Sequence, residues 1–244
     1  PLLCNVLTEH GMTDLAYRLL LNEEYPGWLH EVKLGATTVW ERWNSLDENG
    51  RISSTGMNSL NHYSYGAVLE WIFRHVAGID VTEQGPGGKM MRISPKVDHK
   101  LGSASAVYDS ASGCYRCGWQ IENGDQITVT VTVPFGAKAQ VILPYAPDSV
   151  YHDTDNPLFE TVENGICCVK AGQYTVTYKA ASPLKKSYSV DSTLEDLLAE
   201  PAIRAFLSNM MEVDMIPDLA YGLTLRQAAE AFAGGVSAEQ AQRL

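Results

Sequence analysis

The run from Gly124 to Pro134, GDQITVTVTVP, restricts the fold of this chain more than any other stretch. Ile127, Val129, Val131 and Val133 alternate with Thr128, Thr130 and Thr132, so an extended backbone puts every aliphatic residue on one face and every hydroxyl on the other. Such a strand needs a sheet with one buried side. Pro134 cannot donate to the next rung and ends it, and Asn123-Gly124 ahead of it carries the residues of a tight hairpin. Shorter strand-like runs surround it, namely SASAVYDS, CYRCGWQIE, KAQVILPY, ICCVK and QYTVTYKA, separated by Gly, Pro, Asn or Asp turns. Together they predict an antiparallel β-sandwich over residues 81–182, an ordinary size for one such domain.

Helical sequence flanks this region on both sides, which makes the fold class mixed α and β and multidomain. In residues 1–80, Thr13 is placed to cap a helix with Asp14 at its positive end, and Tyr25-Pro26-Gly27-Trp28 breaks it. A polar loop over 44–57 follows. The stretch SLNHYSYGAVLEWIFRHVAG then predicts one long helix, apolar around much of its girth, buried on more than one side and stopped by Gly78. Residues 183–244 predict a helical extension, with a capping box at Ser192-x-x-Glu195, Pro201 in a first turn, and Thr224 and Ser237 as further caps.

Charge and composition exclude several function classes. The formal net charge is -11 and no basic run exceeds Lys185-Lys186, so a nucleic-acid partner is not expected. No apolar run is long enough to cross a bilayer, and the opening PLLCNVLTEHG has neither a basic region nor a small-residue cleavage site. The chain starts at Pro1 and enters helical sequence at once, which suggests a piece of a longer protein. Five cysteines, Cys4, Cys114, Cys117, Cys167 and Cys168, are an odd number in a chain large enough to need no staples. They favour reduced thiols and a cytoplasmic setting. Cys114 and Cys117 fall on a strand, where residues three apart face opposite ways, so neither a metal site nor a cofactor is expected.

Chemistry concentrates in GATTVWERW, Gly35 to Trp43, where Glu41 stands between Trp40 and Trp43 and beside Arg42. Read alone, the two tryptophans are as compatible with one buried helical face that leaves Glu41 and Arg42 to solvent. The alternative is a concave site with aromatic walls, suited to a ligand with apolar faces and hydroxyl edges such as a sugar.

The order Tyr25-Pro26-Gly27-Trp28, GATTVWERW, Ser59-Leu60-Asn61-His62-Tyr63, Gly66, Glu70-Trp71 and Ala77-Gly78-Ile79, followed by a β region, resembles the C-terminal end of bacterial α-L-rhamnosidases of glycoside hydrolase family 78. The similarity is dense from about Gly11 to Ile79 and looser across the β region. It implies that residues 1–80 are the last helices of an α/α-toroid catalytic domain and that 81–182 are the sandwich that follows it. It also implies Glu41 as catalytic general base and His62 as a rhamnose contact. Beside them, Trp40 and Trp43 are candidates for an apolar wall that binds the sugar or for support of the loop, and Arg42 and Asn61 for support. The general acid of the family falls in earlier helices, so the chain alone is expected to be inactive on rhamnose-containing glycosides. Asp14, Glu31 and Glu70 read as capping or solvated carboxylates, and Tyr63, like Asn61, as a residue of helix packing or of support to the site. Toroid helices without their neighbours predict association, a homodimer for example. A reading from another class makes the sandwich a non-catalytic module for interdomain packing or carbohydrate binding, with Tyr108, Tyr115, Trp119, Tyr145, Tyr174 and Tyr178 as its aromatic candidates.

Overall fold

A computed structural model describes residues 2–47, 49–53, 56–153, 155–185, 188–209, 213, 216–217 and 220–231. It divides into two compact units, Pro1–Leu184 and Lys185–Leu244.

The first unit begins with helices Leu2–Glu9 (α1), Thr13–Leu20 (α2) and Trp28–Lys33 (α3). Helix α1 buries Cys4, Asn5, Leu7 and Thr8, the i, i+3, i+4 stripe of an amphipathic helix. Thr13 is not the cap of α2. Gly11, at φ +79°, turns the chain so tightly that the helix starts at Thr13 itself, and Met12 occupies the cap with no side-chain hydrogen bond. Asp14 does lie in the first turn.

The long helix expected over 59–78 is broken, because its first residues are used elsewhere. Ser59 to His62 run as irregular backbone beside Val39 to Glu41: the Glu41 N–H donates to Ser59 O (2.9 Å) and the His62 N–H to Val39 O (2.8 Å). Helix resumes as Tyr63–Gly66 (α4) and Val68–Trp71 (α5), widens into a π turn at Ile72–Val76, and ends at Gly78 with φ +81°. Val68, Trp71 and Val76 are buried while Leu69 is exposed, so the segment has one buried face rather than burial all round. Trp71 is fully buried, meets Tyr17 edge-on at 5.4 Å and donates its indole N–H to Thr8 Oγ1 (2.8 Å). This one side chain joins α1, α2 and α5.

Two sheets follow. One has the order β1-β2-β6-β8-β7, built from Ile79–Val81, Met90–Ile93, Lys138–Val141, Ile166–Val169 and Val162–Glu163. The other has the order β3-β4-β5-β9, built from Ser103–Ser110, Gly113–Glu122, Gln126–Val133 and Gly172–Lys179. Asn123 (φ 52°) and Gly124 (φ 82°) form the expected left-handed hairpin turn between β4 and β5. Ile127, Val129, Val131 and Val133 all lie in the core, beside Met91, Ile93, Ala139, Val141, Cys167 and Val169 of the other sheet. Buried hydroxyls in this core are satisfied: Tyr115 Oη donates to Gly88 O (2.8 Å) and Tyr178 Oη to Pro144 O (2.7 Å). Trp119 reaches the helical part, donating its indole N–H to Val76 O (2.7 Å).

The expectation of a purely antiparallel sandwich needs correction at one place. β2 pairs with β6 in parallel, Met91 opposite Ala139 and Ile93 opposite Val141. Parallel neighbours need a long crossover, and here residues 94–137 supply it by forming β3, β4 and β5 of the facing sheet.

The second unit contains Leu194–Leu198 (α6), Pro201–Ser208 (α7) and Leu225–Ala231 (α8) around its own core of Leu194, Leu197, Leu198, Leu207, Leu225 and Ala228. The cap of α6 lies one residue later than predicted: Thr193 Oγ1 accepts the Asp196 N–H (3.2 Å), while Ser192 Oγ closes a turn by accepting the Ser189 N–H. Pro201 does open α7. Thr224 and Gln227 make a reciprocal box at α8, each side chain accepting the other's backbone N–H at 3.1 and 3.0 Å. Ser237 lies outside the described residues.

Candidate active site

The segment Gly35 to Trp43 is irregular backbone between α3 and the polar loop, held from both sides. Its pairing with Ser59 to His62 sets Glu41 and His62 on neighbouring strands of backbone, and Thr38 Oγ1 adds a bond to Leu60 O. Glu41 and His62 are half-buried, where a side chain keeps access to solvent or ligand. His62 also caps α4, its Nδ1 accepting the Ser64 N–H (3.2 Å). A ring nitrogen that accepts carries no proton, so the neutral imidazole presents its N–H at Nε2. Tyr63 stacks on His62 with ring centroids 5.3 Å apart and is 84% exposed, which leaves, of the two roles expected for it, support of His62 and not helix packing.

The two tryptophans differ. Trp40 is 3% exposed and belongs to the interior beneath the loop. Trp43 is half-buried and lies flat on Tyr65, centroids 4.5 Å apart and planes 8° from parallel, with Trp28 edge-on to both. Trp28 fixes this group by donating its indole N–H to Tyr65 O (3.1 Å). Arg42 donates its backbone N–H to Ser45 Oγ (3.2 Å), and buried Ser45 donates in turn to Asn58 Oδ1 (2.6 Å), which ties the polar loop to the site. Asn61 is exposed, and its backbone bonds with Ser59 Oγ on both sides.

Sequence reasoning missed Glu31. Instead of being solvated it is 3% exposed, and Oε2 accepts the Trp40 N–H (3.2 Å). Burial raises its pKa, more than that hydrogen bond lowers it. Glu70 is exposed as expected, and Arg74 and Asn5, both bonded to its carboxylate, hold its pKa below the usual range. Trp28 and Tyr65 were also missed as site elements, although Trp28 belongs to the Tyr25-Pro26-Gly27-Trp28 motif; no local signal marks Tyr65 apart from its place two residues after Tyr63.

Among the described residues no group of three or more His, Cys, Asp or Glu side chains is arranged to hold a metal ion, and no helix is long and apolar enough to cross a membrane. Cys117 is buried in the sheet core with its thiol pushed up to about 12, while Cys114 is half-buried on the other face of β4. Half of the six aromatic candidates for a sugar-binding sheet face are spent in the core: Tyr115, Trp119 and Tyr178 are buried, while Tyr108 and Tyr145 are exposed.

A helical region followed by a two-sheet domain corresponds to domains of the glycoside hydrolase class. A family model described as bacterial alpha-L-rhamnosidase 6 hairpin glycosidase domain matches residues 1–76, and one described as bacterial alpha-L-rhamnosidase C-terminal domain matches residues 78–156. The chain belongs to the bacterial α-L-rhamnosidases of glycoside hydrolase family 78. It is 40% identical over 176 residues to an alpha-L-rhamnosidase of Alteromonas sp., covering 71% of this chain and 18% of the relative. An alpha-L-rhamnosidase of Formosa agariphila is 39% identical over 164 residues, covering 67% and 17%. The chain thus spans less than a fifth of the length of these curated relatives. Among solved structures, Streptomyces avermitilis alpha-L-rhamnosidase complexed with L-rhamnose is similar with a TM-score of 0.62 and 34% identity, over 72% of this chain and 17% of that one. The native enzyme from Aspergillus terreus gives a TM-score of 0.60 at 28% identity, over 75% and 19%.

Proposed function

We propose that this chain supplies the general base of an inverting α-L-rhamnosidase that removes terminal α-L-rhamnose from glycosides, with Glu41 as that base. The observation that supports the reading is the backbone pairing of Val39–Glu41 with Ser59–His62, which puts the main chain of the GATTVWERW glutamate and that of the SLNHY histidine on adjoining segments. Inversion needs a carboxylate to take a proton from water on one face of the sugar and a carboxylic acid about 6.5–9.5 Å away to protonate the leaving oxygen. Glu41 has the exposure for the first task, and His62 Nε2–H is a donor suited to a sugar hydroxyl. Trp43, backed by Tyr65 and Trp28, supplies an apolar wall, with Trp40, Arg42 and Asn61 holding the loop. The acid comes from residues beyond these 244, within the remainder of an α/α-toroid to which α1–α5 contribute. The chain alone is therefore without turnover.

Glu41→Gln in the complete gene product tests the reading. It keeps the shape and removes the base, so kcat on an aryl α-L-rhamnoside is expected to fall by about 100-fold or more with the fold intact by circular dichroism. A kcat within a few-fold of wild type overturns the assignment.

A further inference from the structure

Helix α3 is built the wrong way round for simple amphipathic packing. Val32 is 61% exposed and Lys33 is exposed, bonded to Glu23 at 2.8 Å, while the acidic residue before them, Glu31, is turned inward to 3% exposure. Burying a carboxyl and exposing a valine both cost stability, so the arrangement needs a reason. The hydrogen bonds supply one. Glu31 holds both ends of the loop that precedes the base: its backbone oxygen accepts the Ala36 N–H (3.0 Å) and its side-chain Oε2 accepts the Trp40 N–H (3.2 Å). The next amide along, that of Glu41, donates to Ser59 O on the other side (2.9 Å). The two successive peptides, Val39–Trp40 and Trp40–Glu41, are thereby held from opposite sides, the first by α3 and the second by the Ser59–His62 segment. No other side chain among the described residues takes the Trp40 N–H, and Oε1 of Glu31 is buried with no hydrogen-bond partner among them.

We propose that Glu31 is a positioning residue for Glu41, fixing the direction of the base by anchoring the Trp40 amide from α3. The proposal rests on Glu41 being the general base. One buried oxygen does the holding, and the other neither binds substrate nor moves a proton in the reaction. What matters is an acceptor at that reach, not a negative charge. The raised pKa of Glu31 agrees with this, since burial favours the neutral carboxyl, for which glutamine is the isostere.

The test uses the complete gene product and an aryl α-L-rhamnoside, with kcat and KM measured separately and rates expressed per folded molecule from circular dichroism. Glu31→Leu removes the acceptor and Glu31→Asp draws it back by one methylene. Both are expected to lower kcat by about 10- to 100-fold with KM within about twofold, as displacement of a reacting group does. Glu31→Gln keeps an acceptor at the same reach and is expected to hold kcat within about threefold of wild type. A role in folding alone would lower the yield of folded enzyme and leave kcat per folded molecule unchanged, and that result overturns the proposal. Loss of kcat in Glu31→Gln with Glu31→Asp near wild type also overturns it, because charge rather than reach would then be the requirement. Should Glu31→Leu not fold, the contrast between Asp and Gln decides. Glu41→Gln run alongside separates the two readings: if it is inactive and Glu31→Asp turns over normally, only the role of Glu31 falls, and if Glu41→Gln stays active both fall.

Discussion

Glu31 shows how a residue's chemistry depends on a contact that sequence does not display. Between His30 and Val32 and two residues from Lys33 it looks like any solvated helix carboxylate, and only the distant Trp40 amide draws it inward. Its pH behaviour follows. With the folded pKa above the ordinary value of 4.5, the native state holds a proton that the unfolded chain releases. Its contribution to stability is complete below pH 4.5 and is lost as pH rises through the raised value. Glu70 works in the opposite sense, since Arg74 lowers its pKa and the benefit is lost as pH falls. Thermal melts of the 244-residue chain are therefore expected to show Glu31→Gln gaining in Tm relative to wild type as pH is raised from 4.5 toward neutrality; a constant difference across that range contradicts this account. By contrast, GATTVWERW stands out in the sequence as a candidate site, because a Glu framed by two indoles is unusual at any position. The roles of those indoles were not legible. Trp40 and Trp43 look equivalent in the motif, and only the fold puts one in the interior and the other on Tyr65.

At the level of elements, the strands were far easier to read than the helices. A half-buried strand has a two-residue period, and Ile127 to Val133 display it without reference to anything else. The segment from Ser59 to Gly78 has good helical composition throughout, yet its start is spent on backbone pairing with Val39–Glu41, a partner some twenty residues earlier. Its end was legible in Gly78. That glycine sits at φ +81°, and a Cβ placed on it would come within 2.2 Å of Pro95 N, where the chain from β2 passes. Gly78→Ala therefore combines a left-handed backbone with collision against main chain. It is expected to destabilise the first unit by about 3 kcal/mol or more, read as a lower urea midpoint with an unchanged slope. A midpoint equal to wild type would mean that the crossing at Pro95 has room to give.

Over the whole chain, each unit carries its own core, the first from Cys4 to Tyr178 and the second from Leu194 to Ala228. Residues of α1, the turn after it and the start of α2 leave a good deal of apolar surface outside the first core: Leu2, Leu3, Val6, Met12 and Leu15 are all exposed. A patch of this kind seeks cover. Sedimentation of the 244-residue chain is expected to show self-association that weakens when Leu3 and Val6 are replaced by Ser, and a monodisperse monomer at tens of micromolar would rule this out. The parallel pairing of β2 with β6 bears on something else, the order in which the chain assembles. β3, β4 and β5 are joined by short turns, so their pairings close over few residues and cost little chain entropy. β6 has no neighbour of its own to pair with until the crossover is complete, and then it docks between β2, emerged some forty-five residues earlier, and β8, which has still to follow. The β3-β4-β5 meander and the β1-β2 pairing can take shape while the chain is being made, but both sheets are completed late: the five-stranded one waits for β8, and the four-stranded one for β9, which follows every other strand.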